Sequence, residues 1–222
     1  MLLQFIENRG NMDVIEVLFM VIAYTFVVLV MLPVHELAHA LAADLCGDQT
    51  ARWHGRLTLN PFAHLTLYGT LMIVLFGFGY AKPVPINPRN FRHPRRDTIF
   101  VSLMGPVSNL LMAILSAGIY KLCTLFVTDM TVLGILSFVL LGVLMSVNVS
   151  LAVFNLLPIP PLDGSRLWSS LLPGRWSYTI ERYSRQIMIV LFVLLAMGVL
   201  SGPIAWLNRL FCSGILRLFG LI

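Results

Sequence analysis

Apolar residues in this chain gather into long runs, near residues 14–34, 98–119, 132–154 and 187–200. About 20 apolar residues, coiled at about 1.5 Å per residue, cross roughly 30 Å of hydrocarbon. Each run is long enough, or nearly so, and predicts a membrane helix. The helices are expected over 13–45, 98–124 and 132–157, with a further apolar segment over 187–200. The expected fold is therefore an all-α polytopic membrane protein, a transmembrane helix bundle with a short re-entrant loop or β element. It forms one membrane-embedded domain over 1–222, with a core over about 13–172 and C-terminal membrane segments over about 177–222.

The re-entrant element is expected where the pattern breaks. Residues 65–80 are apolar but short, contain Gly69, Gly77 and Gly79, and lead into AKPVPINP, a poor sequence for a straight helix. Residues 82–96 then carry Lys82, Arg89, Arg92, Arg95 and Arg96 with no acid, which marks a cytoplasmic loop. Arg166, Arg175, Arg182 and Arg185 form a second basic region consistent with the same side, and the sparsely charged loop at Asp129 belongs outside. Segment 65–80 must then dip in and return, and 84–87 reads as an extended strand with a free edge, or as a stiff Pro-rich linker. Arg56–Leu57–Thr58–Leu59 before Asn60–Pro61 reads as a short strand ending in a turn. Residues 203–222 read as either a fifth crossing or an interfacial helix.

Composition agrees: 58% hydrophobic, 11% charged and a mean hydropathy of +0.87 exclude an ordinary soluble domain. The net charge of +5 lies mainly in loops beside apolar segments, so it reports topology rather than nucleic-acid binding. The N-terminus lacks the basic start of a cleavable secretory signal. Cys46, Cys123 and Cys212 have neither disulfide-framework nor CxxC spacing and read as free thiols. Trp168, Trp176, Tyr178 and Tyr183 read as an interfacial aromatic belt.

The candidate chemistry starts at His35–Glu36–Leu37–Ala38–His39. In a helix, positions i and i+4 share a face, so both imidazoles can reach one ion while Glu36 stands beside it to handle a water. Pro33, inside the same helix, removes a backbone donor and is expected to bend the chain just before His35. A third ligand is needed, and the best remaining acid is Asp163, in the Pro-broken NLLPIPPLDG after the 132–157 helix. His54, His64 and His93 lack ligand spacing and suit loop or capping roles, with His64 also a candidate support for the site.

These motifs make the chain resemble the site-2 proteases, a family of intramembrane zinc metalloproteases. The resemblance covers most of 31–166 and includes Gly105–Pro106–Val107–Ser108–Asn109, Asn155 ahead of the Asp–Gly motif, and FGFGYAKPVP, similar to the family's re-entrant strand region. It implies one Zn2+ per chain on His35, His39 and Asp163, Glu36 as catalytic acid, a transmembrane protein substrate and a lipid bilayer. It also implies a compact prokaryotic type, without PDZ or CBS domains, in the cell membrane. Asn155 is a candidate for binding substrate backbone or the oxyanion, or for an interhelical contact, and Asn109 is a weaker candidate that could instead tie helices together. The extended segment adds Val84, Ile86 and Asn87 as candidate substrate-binding residues. The alternatives are a non-catalytic metal-binding membrane protein or transporter, and a membrane enzyme acting on lipid.

Overall fold

Long apolar runs form helices because lipid offers no partner for a free amide, and only a closed hydrogen-bond ladder satisfies the backbone there. The computed structural model describes residues 14–66, 82–126 and 132–222. Helix α1 (Val14–Leu45) contains Pro33, whose side chain is fully buried. It ends where Gly47 adopts φ +104°, Gly47 N–H donating to the Asp44 carbonyl and Asp48 N–H to the Ala43 carbonyl, an arrangement that closes the last turn.

Short helices α2 (Thr50–Trp53) and α3 (Pro61–His64) follow, then a 3-10 turn at Pro88–Asn90. The long helix α4 (Pro94–Phe126) comes next, followed by α5 (Val132–Asn155) and α6 (Asp163–Leu171). The chain closes with α7 (Gly174–Arg182), α8 (Ser184–Ala196) and α9 (Ser201–Leu218). Helix α4 starts at Pro94 rather than at 98, because proline at a first helical position gives up only an amide that would be unpaired anyway. Asp97 reaches back to accept the His93 N–H at 2.8 Å, and its charge complements the helix N-terminus.

Two expectations change here. No strand occurs among the described residues. Residues 57 and 58 bend instead of forming a strand, because Arg56 is buried and donates through Nη1 to the Ala63 and Lys82 carbonyls, while the Asn60 side chain accepts the Phe62 N–H and starts α3. Residues 82–87 have no strand partner either. The expected dip spans 65–80, of which 67–80 lie outside the described residues.

Helices α1, α4 and α5 pack on one another, α6 packs on α4, and α9 lies against α5 and α4. Two helical stretches among the described residues, Pro94–Leu125 and Phe138–Asn155, are long and apolar enough to cross a membrane. Helix α4 is divided along its length: Asn109, Ala113, Ser116 and Ala117 are buried, while Leu111, Leu115, Ile119 and Leu122 stand exposed. So long an apolar stripe is anomalous against water and ordinary against acyl chains.

Small residues let the helix backbones approach closely. Ala113 and Ala117 of α4 meet Val149 and Val153 of α5, and Ile215 of α9 joins them. Asn208 of α9 donates to Ser150 Oγ of α5 at 3.0 Å, a bond worth on the order of 1 kcal/mol in such a setting. The last helix is thus docked along the bundle.

The 82–91 segment is fastened to the end of α1 on a second small-residue surface. Val84 packs with Ala40 and Ala51, and Phe91 packs with Ala42, Ala43 and Val101. The fully buried Asp48 pins it, accepting from Asn87 N–H at 2.7 Å, from Asn90 Nδ2 at 2.8 Å, and from both the hydroxyl and the N–H of Thr50. Burial pushes the Asp48 carboxyl up, but these four hydrogen bonds outweigh it and hold the group below the usual carboxylate range.

Candidate metal centre

His35 and His39 stand one turn apart on α1, their rings edge to face with 4.7 Å between centroids, and their Nε2 atoms are 3.2 Å apart. The turn after α5 carries the chain back so that α6 begins at Asp163, whose Oδ2 lies 3.1 Å from His35 Nε2 and 3.2 Å from His39 Nε2. Three donor atoms therefore form a nearly equilateral triangle. Two ligands bound tetrahedrally at zinc distances of about 2.0–2.1 Å are themselves roughly 3.3 Å apart, so the triangle has the size of one face of a zinc coordination tetrahedron. Two imidazoles and one carboxylate make three protein ligands, the number typical of a catalytic rather than a structural zinc site. Both imidazoles are buried and Asp163 is mostly so. The residues fit a zinc ion.

Helix α4 supports the triangle from behind. His39 Nδ1 meets the Val101 carbonyl oxygen at 2.7 Å. Asn109, 1% exposed, places its side-chain Nδ2 at 3.1 Å from His35 Nδ1, while its Oδ1 is buried with no partner. Between them, Gly105 lies so close that an added Cβ would fall 2.5 Å from His35 Cε1 and closer still to His39 Nε2. Glycine is required there because the imidazoles occupy the space of a side chain. Gly164 answers the same need on the other side, since a Cβ there would overlap the Leu156 and Leu157 carbonyls.

Glu36 is half-buried, and its Oε2 accepts the Val84 N–H at 3.3 Å. The three main-chain amides expected to greet a substrate thus differ: Val84 N–H is held by Glu36, Asn87 N–H by Asp48, and Ile86 N–H makes no hydrogen bond among the described residues. In an extended chain successive amides point to opposite edges, which puts Val84 and Ile86 on the edge toward Glu36 and Asn87 on the pinned edge.

Asn155, the last residue of α5, is half-buried, and its side chain makes no hydrogen bond to the triad. Asn109 is brought to the site, but behind His35 rather than facing a substrate. His64 is fully buried with Nε2 2.8 Å from the Thr58 carbonyl, a loop role, and His54 Nδ1 meets the Thr50 carbonyl. Cys46 packs beside the Ala42–Phe91 cluster and is not among the candidate ligands. Sequence reading missed Val101, whose contribution is a main-chain carbonyl that any residue carries, and Asp48, an acid beside a turn glycine.

The family model for peptidase family M50 matches residues 23–198, a span containing all of these positions. The chain is 41% identical over 194 residues to the "Putative zinc metalloprotease YwhC" of Bacillus subtilis, covering 85% of this chain and 86% of that protein. It is 34% identical over 146 residues to Rip2 of Mycolicibacterium smegmatis, covering 61% of this chain and 52% of that one. With Rip2 of Mycobacterium tuberculosis the identity is 33% over 188 residues, 81% of this chain and 70% of that protein. Both Rip2 proteins carry the same metalloprotease description. No solved structure matches the chain.

Proposed function

The chain belongs to peptidase family M50, and from that premise we propose that it is an intramembrane zinc metalloprotease, hydrolysing peptide bonds in or near the transmembrane segments of membrane proteins. The observation that carries this reading is the donor triangle of His35, His39 and Asp163 with Glu36 on the same helix turn. Ordinary core histidines do not converge with a carboxylate at ligand spacing, and such a group beside apolar helices is costly without a function.

In this reading His35, His39 and Asp163 hold the metal and Glu36 is the general base. A zinc ion held by these three residues would supply Lewis-acid polarisation of the scissile carbonyl and a water acidified to a pKa of about 7. Glu36 takes the proton from the attacking water and returns it to the leaving amine, and the Val84 N–H keeps the carboxylate turned toward the site. Substrate must arrive extended, because a helical peptide buries its carbonyls in its own ladder. The Val84–Ile86 edge suits it, with the Ile86 amide free to bind main chain and the Asn87 edge anchored through Asp48. Asn155 remains a candidate for the substrate backbone.

The protein is a single multi-pass domain of the cytoplasmic membrane, with the basic 82–96 and 166–185 segments and the metal centre facing the cytoplasm. Labelling single cysteines, in a chain lacking Cys46, Cys123 and Cys212, should modify positions near Arg89 and Arg175 from inside and near Asp129 from outside. Labelling of the two basic loops from opposite faces would refute this topology.

The activity itself is tested by incubating the purified chain with a panel of single-span membrane proteins, beside the Glu36→Gln variant. Cleavage by both chains, or by neither across the panel, would count against the reading. Val84→Pro removes the amide that orients Glu36, and a lost hydrogen bond to a charged group costs roughly 1.5–3 kcal/mol. The variant should therefore lose about tenfold or more in kcat with its zinc content unchanged. Native kcat would show that the contact does nothing.

A further inference from the structure

Asn109 turns its amide nitrogen to His35 Nδ1 and leaves its carbonyl oxygen buried without a partner, an arrangement that suits a metal-free imidazole but not one whose Nε2 binds a cation. Resting on the zinc reading above, we infer that Asn109 is a positioning residue for His35: its side-chain carbonyl oxygen accepts the His35 Nδ1 proton and thereby fixes the tautomer that presents Nε2 to the metal.

The atom of His35 in the donor triangle is Nε2. An imidazole that gives the Nε2 lone pair to a cation is neutral and carries its proton on Nδ1. That Nδ1–H needs an acceptor. The atom opposite it, at 3.1 Å, is the Asn109 amide nitrogen, itself a donor, while the acceptor oxygen of the same side chain is buried with no partner. A half-turn of the carboxamide exchanges the two atoms with almost no other movement, and such amides are assigned only from their hydrogen bonds. The oxygen then faces Nδ1 at the same distance.

The other ligand supplies an internal comparison. His39 Nδ1 already meets a carbonyl oxygen, that of Val101, at 2.7 Å. Both supports come from α4, so with the amide turned the same helix gives each imidazole a carbonyl acceptor. Asn109 is 1% exposed and lies on the Nδ1 side of the ring, away from Nε2, which leaves it no access to a substrate. An asparagine that merely tied α4 to α1 would have no need of this particular atom, and metal binding would not depend on it.

The test is the zinc dissociation constant of the full-length chain in detergent, measured by chelator competition for native protein, Asn109→Leu, Asn109→Ala and Asn109→Asp. Supports of this kind are typically worth 10–100-fold in metal affinity. Asn109→Leu, which has no acceptor, and Asn109→Ala, which cannot overfill the site, should each bind zinc about 10–100-fold more weakly. Asn109→Asp keeps an acceptor oxygen and should stay within about threefold of native or bind more tightly. Cobalt loaded in place of zinc should give native-like visible absorption in Asn109→Asp and an altered spectrum in Asn109→Ala. Native affinity in Asn109→Ala would overturn the inference, as would Asn109→Asp binding as weakly as Asn109→Ala. A native chain with no measurable zinc affinity would instead overturn the metal reading, and this inference with it.

Discussion

Glu36→Gln is expected to abolish peptide hydrolysis while leaving the metal centre and the helices as they are. Glutamine is nearly isosteric, and its Oε1 can still accept the Val84 N–H that Glu36 accepts at 3.3 Å, so the 82–87 segment stays docked. Glutamine cannot take a proton, however. General acid–base catalysis contributes typically 10²–10⁴-fold, and in the proposed mechanism Glu36 serves both the attack and the departure of the amine, so a loss of about 10³-fold or more is expected. The measurement is turnover of a cleaved membrane substrate, with bound zinc determined on the same preparation. Zinc retained with activity lost supports the assignment; native turnover would require another base.

Gly105→Ala should have the next largest effect, through the metal rather than the proton. Overpacking a core usually costs about 1–3 kcal/mol because neighbours can shift. Here the atoms in the way belong to the two ligand imidazoles themselves, so relief means moving them out of the donor triangle. Zinc affinity should fall by about a hundredfold or more, beyond the range of losing one supporting hydrogen bond. Gly142→Ala is the control, since a Cβ there meets nothing within 4 Å. Zinc bound by Gly105→Ala as tightly as by native protein would show that the site tolerates displacement, and the role given to Gly105 would fail.

Gly105 also shows what a sequence reading leaves open. Written as part of Gly–Pro–Val–Ser–Asn, it reads as a helix-packing glycine, and only its place against two histidines of another helix turns it into a condition for metal binding. Asn109 moved in the same way, from a candidate substrate contact to the back of His35, once α4 and α1 were packed. The Val84, Ile86 and Asn87 amides look equivalent in AKPVPINP. They become one amide bound to Glu36, one without a partner among the described residues and one pinned, only because Glu36 of α1 and Asp48 just past its end arrive there. The expected strand at 56–59 failed for a related reason: alternation in RLTL is a local signal, and it lost to Arg56, which is buried and satisfied by the carbonyls of Ala63 and Lys82.

What the sequence by itself determined is what local chain chemistry controls. Long apolar runs specify helices because unpaired amides are intolerable in lipid, and HExxH specifies two imidazoles on one face because a helix repeats every 3.6 residues. Asp163 was legible as a candidate third ligand because a Pro-rich break placed an acid just past the end of the preceding helix. The tertiary structure decided everything that requires two distant segments to meet: the 3.1 Å approach of Asp163 to a histidine 128 residues away, the carbonyl of Val101 behind His39, and the amide that holds Glu36. Main-chain donors and acceptors are the same at every non-proline position, so their identity leaves no mark in the sequence, and only packing selects which of them reach the site.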